Sequence, residues 1–331
     1  MIVPPMDTPE GLYVDYAANI SAAVSLPVMA VGRLKNPELA EEVIASGKAD
    51  VVAQARALIA DPFWVQKLYD QIPQQIRPCI GCNQGCFGYL YTNRPITCAV
   101  NPAVGHERTI GHGTETSSTG RVLVIGGGPA GMEAAIAARE RGLEVTLAEA
   151  SPTLGGQIPL ASSIESRAEL GTIIDFQISE LQRLDVDIRL ETTIDIPAIS
   201  KLELDEIIIA TGSQPRMSPF STDDSIPVIA PIEAMNSPET YAEKNIIVVD
   251  QVAHFPAYAP AEALKDAGAD VMILTPKLFV GSLLDQATMV VTLRRLAGKG
   301  IQMTPNSAVV HITDGLLHIQ DTLSGKMRTE T

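Results

Sequence analysis

Residues 121–150 read "RVLVIGGGPAGMEAAIAARERGLEVTLAEA". The first five form an apolar run with β-branched members, the pattern of a buried strand. Gly126, Gly128 and Gly131 then stand in a G-x-G-x-x-G turn, with Ala130 inside it. "MEAAIAARERG" follows with helical spacing, and "LEVTLAE" is a second strand ending in Glu149. Each part has a physical task. Gly126 makes the tight turn, Gly128 lets backbone approach a pyrophosphate, and Gly131 lets helix and strand pack closely. The helix N-terminus offers free N–H groups and a positive dipole end to phosphates. Glu149 is placed to accept hydrogen bonds from a ribose. A tight turn without ligand is the bland alternative. The fold class implied is α/β.

A second, altered copy starts at residue 245. "NIIVVDQVAHFPAYAPAEAL" aligns in its strand and helix with 121–138, but its turn has no glycine. Asp250 and Val252 stand where Gly126 and Gly128 do. Bulkier residues block close approach and Asp250 is expected to repel a phosphate, so no competent NAD(P)H turn is expected here. A packing role, an altered nucleotide role or a docking role all stay open, and His254 reads as a turn or packing residue.

All four cysteines fall in "RPCIGCNQGCFGYLYTNRPITCAVNP", residues 77–102. Cys79, Cys82, Cys86 and Cys98 are spaced C-x2-C-x3-C-x11-C. Thiolates grouped three plus one suit a [4Fe–4S] cube, whereas structural zinc usually takes two separated C-x2-C knuckles. Zinc and a disulfide remain alternatives. No signal peptide is read in "MIVPPMDTPEG", which has no basic region, and no apolar run reaches membrane-spanning length. A reducing cytoplasm is therefore expected, where clustered thiols are metal ligands or redox groups. Acidic residues outnumber basic ones 39 to 24, a net charge of -15. That balance argues against nucleic acid and anionic membrane as partners.

Four zones are expected: 1–70, 71–119, 120–215 and 216–331. In the first, "LPVMAVG" (26–32) and "ADVVAQARALI" (49–59) read as buried strands flanking a helix, "NPELAEEVIASGK" (36–48), capped by Asn36. Strand, helix and strand imply a parallel crossover. "GHGTETSSTG" (111–120) reads as a linker, and 216–244 as loop. The C-terminal "HIQDTLSGKMRTET" is polar and shows no closing helix.

Together, "RPCIGCNQGCFG…CAVNP" and "VLVIGGGPAGMEAA" resemble the multidomain NADH:flavin oxidoreductases, the family of 2,4-dienoyl-CoA reductase and trimethylamine dehydrogenase. The resemblance implies the C-terminal remnant of an FMN-binding TIM barrel, an iron–sulfur loop, then two Rossmann-like domains. It implies FAD, or ADP, at the first glycine turn, with Gly156, Gln157 and Thr211 as further contacts. It implies FMN phosphate binding at Gly32, Arg33, Ala55 and Arg56, after the seventh and eighth barrel strands. Only two barrel strands are present, and the segment that should complete the FAD domain is absent, so a fragment is expected, without catalytic residues of its own. The altered second turn leans towards the amine-dehydrogenase branch, which passes electrons to an external electron-transfer flavoprotein. The x3 cysteine gap leans towards the NAD(P)H-dependent enoyl- or dienoyl-CoA reductases. A zinc-stapled nucleotide-binding module without turnover is the third reading. A small-molecule substrate and self-association into a homo-oligomer complete the expectations.

Overall fold

In the computed structural model, Arg121–Ile125 (β3), helix Pro129–Glu140 and Glu144–Ala148 (β4) form in that order. The structure describes residues 3–110, 119–199, 203–216, 218 and 220–331. The chain divides into two compact units, residues 1–213 and 214–331. Most of the expected linker, residues 111–118, lies outside the described residues.

In the first unit, β3 and β4 join Asp187–Arg189 (β5) and Glu206–Ile209 (β6) in a parallel sheet of order β5-β4-β3-β6. Val122 pairs with Val145 on one side and with Glu206 on the other. The chain leaves β3 towards β4, yet β6 lies on β3's opposite side. That reversal opens a crevice at the C-terminal ends of β3 and β6, where such sheets bind ligands. Val124 and Leu147 are fully buried beneath Met132 and Ile136 of the helix and Leu181 of helix Gly171–Arg183. Each such burial contributes about 1.5–3 kcal/mol.

Met29–Val31 (β1) and Val51–Ala53 (β2) pair in parallel through helix Pro37–Ala45, and Asn36 Oδ1 caps that helix by accepting from Leu39 N at 3.0 Å. The strands are shorter than the apolar runs imply, because the second run turns into helix Arg56–Ala60. Ala30 packs inward against Val43. Met29 and Val31, on the other face of β1, are 60% and 55% exposed.

The second unit has a parallel sheet of Asn245–Val249 (β8), Asp270–Leu274 (β9) and Gln302–Thr304 (β10), with helix Phe255–Asp266 packed on it. A second sheet contains Ser221–Thr222 (β7), Ser307–Thr313 (β11), Leu316–Asp321 (β12) and Met327–Glu330 (β13). Residues 216–244, expected as loop, thus supply a strand and helix Pro231–Asn236. The polar C-terminal stretch forms β12 and β13. Leu317 and Ile319 point into a core while His318 and Gln320 alternate with them, so half-buried strands need few apolar residues.

Asp223 ties this second sheet together. Its carboxylate accepts from Ser225, from Asp314 N at 2.9 Å and from Thr313 Oγ1 at 3.3 Å. The Ser225 hydroxyl first, then the backbone N–H groups, hold its pKa well below the usual carboxylate range. A depressed pKa contributes stability above the unfolded value near 3.9, lost as pH falls through the folded value. Asp223→Asn is therefore expected to lower the urea midpoint at pH 7 and to lower it less at pH 2, where part of the stabilisation has already been lost. Equal losses at both pH values would reject this role.

Among the described residues, no helix is long and apolar enough to cross a membrane.

Candidate functional site: a glycine crevice beside a cysteine cavity

The glycine turn sits at the crevice between β3 and β6. Gly126 has φ +110, and a Cβ there would overlap the Ala210 carbonyl just after β6. A Cβ on Gly131 would overlap the Gly126 carbonyl oxygen. These two positions hold helix, turn and both strands at backbone contact. Gly128 caps the helix in an extended conformation, and only Gly156 Cα would lie within reach of its Cβ, at 3.9 Å. That open cradle, before a helix N-terminus whose first residue is Pro129, suits a diphosphate. Ala130 is exposed on the first helical turn and Thr211 is exposed beyond β6. Gln157 Nε2 donates to Ser213 O at 3.0 Å, so 157 and the segment after β6 meet.

Glu149 accepts from Gly127 N at 2.6 Å and from Ser151 N at 2.7 Å. Burial works to raise its pKa, but these donors outweigh burial and hold it below the usual carboxylate range. The spacing motif does not include Gly127, yet a Cβ there would strike Leu154 and Glu149. Three consecutive glycines followed by an acid were the available signal.

The four cysteines line a single cavity, with Ile59, Ile80 and Val100 as apolar wall. Gln84–Gly88 forms one π-type turn that carries Cys86. Asn83 enters it in the left-handed region, φ 59, and Thr97 N donates to Gly85 O at 2.8 Å, folding the segment before Cys98 onto it. Burial pushes the Cys82 thiol up to about 12, with the charges of the other three thiols adding to it. Burial also raises Cys86 and Cys98, and Arg56 partly opposes this at Cys86. Thiols so placed hold their protons until a metal replaces them. Among the described residues, no group of three or more His, Cys, Asp or Glu is set to hold a single metal ion. A tetrahedral zinc with bonds of about 2.3 Å would need sulfurs roughly 3.8 Å apart. The four thiols nevertheless line one cavity.

Arg77 links this loop to the glycine helix. Its Nη1 donates to Val100 O at 2.5 Å and to Glu133 Oε2 at 2.8 Å, and its backbone N–H donates to Asp61 at 2.7 Å. Gln177 donates to the same Glu133 oxygen at 3.1 Å. Nothing in the local pattern marked Arg77, because its partners lie far along the chain.

Residues expected at an FMN phosphate fall into two groups. Gly32 and Arg33 follow β1, and Ala55 and Arg56 follow β2, on adjacent strands. Arg33 is 7% exposed, and its guanidinium is held by Glu169 and by Pro5 O. Its Nε has no hydrogen-bond partner among the described residues. The Arg56 guanidinium turns to Asn83 and the cysteine cavity.

Comparison with known proteins agrees with this layout. Residues 120–324 match the pyridine nucleotide-disulphide oxidoreductase family, and residues 10–75 match the NADH:flavin oxidoreductase / NADH oxidase family. The chain belongs to the NADH:flavin oxidoreductase family. It is 33% identical over 317 residues to N,N-dimethylglycine/sarcosine dehydrogenase of Chromohalobacter salexigens, covering 93% of this chain and 45% of that protein. It is 35% identical over 223 residues to cinnamate reductase of Clostridium sporogenes, covering 67% and 33%. The structure of histamine dehydrogenase from Rhizobium sp. 4-9 superposes with a TM-score of 0.93 at 28% identity, covering 99% of this chain and 50% of that one. The chain spans half or less of these proteins. Family members are flavin-dependent oxidoreductases.

Within this family member, the second turn is filled by the chain itself. Asp250 is fully buried. Its Oδ1 accepts from Val252 N at 3.1 Å and Ala253 N at 2.7 Å, and its Oδ2 accepts from the Tyr258 hydroxyl at 2.9 Å. Tyr258 oxygen accepts from Gly281 N at 2.6 Å. Burial and the Asp250 charge raise the Tyr258 pKa, so its proton stays in place. The sequence implied repulsion of a phosphate. The fold adds that the turn's backbone donors already serve a carboxylate.

Proposed function

We propose that this chain is the electron-relaying part of an FMN/[4Fe–4S]/FAD oxidoreductase of amine-dehydrogenase type. Cys79, Cys82, Cys86 and Cys98 hold the cluster. Gly126, Gly128, Ala130, Gly131, Glu149, Gly156, Gln157 and Thr211 form the site for FAD or ADP. Gly32, Arg33, Ala55 and Arg56 lie at the FMN phosphate. The exposed apolar face of β1 is covered by further barrel strands, which carry the substrate-binding residues for a small amine. When bound, flavin would take a hydride from substrate and the cluster would pass its electrons on singly, towards an external electron-transfer flavoprotein. Assembly as a cytoplasmic homo-oligomer belongs to the same reading.

The observation that carries this is the wall of the cysteine cavity. One apolar cluster joins Ala60 behind β2, Ile80 and Val100 beside the thiols, and Leu170 and Ile173 of the nucleotide-binding part. Apolar packing therefore runs from the residues behind β2, past the half-buried thiols, to the nucleotide-binding part, which supports a relay along that line. The three-plus-one grouping of the cysteines along the chain favours a cube over one zinc ion. The chain's own residues do the rest: they deprotonate on metal uptake, fix the loop through Arg77, and cap the first turn without filling it.

Anaerobic reconstitution with ferrous iron and sulfide tests the reading. About four irons and four sulfides per chain are expected. A colourless chain that takes zinc alone would overturn it in favour of a zinc-stapled module. The reductase reading draws on the cysteine spacing and on the cinnamate reductase likeness, but the occupied Asp250 turn opposes it. Equilibrium dialysis with NADPH separates the two. No saturable binding is expected, and saturable binding abolished by substitutions in 250–258 would favour the reductase.

A further inference from the structure

Among the described residues lining the cysteine cavity, Arg56 is the one that is charged and none is acidic. Its Nη1 donates to Asn83 Oδ1 at 2.6 Å. Asn83 follows Cys82 directly and is 1% exposed. Its amide donates to Val3 O at 3.3 Å, and its carbonyl accepts from Gly88 N at 2.8 Å, closing the turn that carries Cys86. The guanidinium is therefore held by a residue that is itself held, on the wall of the cavity that the four thiols line. A cube ligated by four thiolates carries net negative charge, and reduction adds to it. A fixed cation in a partly desolvated site stabilises the more negative state more, because Coulomb energies grow as the local dielectric falls.

We propose that Arg56 is a positioning residue that raises the reduction potential of the cluster held by Cys79, Cys82, Cys86 and Cys98, making it the better acceptor for electrons from the neighbouring flavin. This rests on the cluster reading above. The charge acts through space, and the Asn83 hydrogen bond sets its distance. A mere strand-end arginine bound to phosphate would have no such effect on the cluster.

The test is a potentiometric titration of the reconstituted 331-residue chain. A chemical reductant supplies the electron, and the paramagnetic resonance signal of the reduced cluster is the readout. Arg56→Gln is expected to shift the midpoint to a more negative potential. Arg56→Lys, which keeps the charge, is expected to stay nearer the wild-type value. Cluster loss in R56Q alone, with R56K near wild type, also supports the charge role. A wild-type midpoint in R56Q overturns the inference, as does an equal shift in R56K, which would assign the effect to the loop. Loss of cluster in both variants makes Arg56 structural and overturns it as well. A wild-type chain that takes up no iron and sulfide overturns the cluster reading itself, and this inference falls with it.

Discussion

Gly131→Val is expected to weaken FAD or ADP binding by at least about 100-fold, or roughly 2.7 kcal/mol. The Cβ position at residue 131 overlaps the Gly126 carbonyl oxygen, and the Ala210 Cβ stands 3.2 Å away. The obstacles belong to the turn and to the residue just after β6, so no flexible side-chain tip can move aside. The helix start must lift away from β3, taking its free N–H groups off the phosphate position. Overpacking of this kind also costs about 1–3 kcal/mol of stability. Gly128→Ala separates the two effects. Its Cβ meets only Gly156 Cα at 3.9 Å, so the fold is expected to stay intact while the cradle fills and affinity drops about tenfold. Isothermal titration with ADP, alongside thermal unfolding, reads both. Wild-type affinity in G131V would remove this turn from the dinucleotide site.

Cys82→Ser carries the second large effect. Bound iron is expected to fall at least about tenfold, the lower end seen for losing even an outer partner of a metal ligand. Cys82 borders the apolar cluster beneath the cavity and its thiol is the one pushed up to about 12. Serine keeps the volume but cannot supply a thiolate. It leaves a buried hydroxyl costing about 1–3 kcal/mol if unpaired, so the chain is expected to fold with a modest drop in midpoint. Iron and acid-labile sulfide assays on the variant decide the matter, with ADP titration as a control for the neighbouring crevice. Full iron content in C82S would remove this cysteine from the ligand set. Intact ADP binding with lost iron would show that the two sites fold independently of each other's ligands.

Local chemistry was legible where neighbours in sequence remain neighbours in space. The β3–turn–helix–β4 unit, the Asn36 cap and the candidate ligands followed from spacing, because turns, caps and helix faces act within a few residues. The reversal that makes a crevice between β3 and β6 was not legible, since β6 begins some eighty residues after β3. Arg33 illustrates the same limit. Its local pattern gave no sign of the ion pair it makes with Glu169, 136 positions away. The C-terminal hairpin escaped notice because alternating burial asks little of overall hydropathy.

By itself, then, the sequence determined that glycines at 126, 128 and 131 make a turn with a ligand's shape, and that four thiols share one loop. Those facts depend on backbone freedom and residue type alone. Tertiary structure decided what surrounds them. It set Arg56 against the thiols through Asn83, anchored the loop to the glycine helix through Arg77 and Glu133, and gave the second turn's donors to Asp250. The first two are long-range polar contacts whose partners only the folded chain brings near; the third is a local turn that Tyr258 and Gly281 lock from farther along the chain.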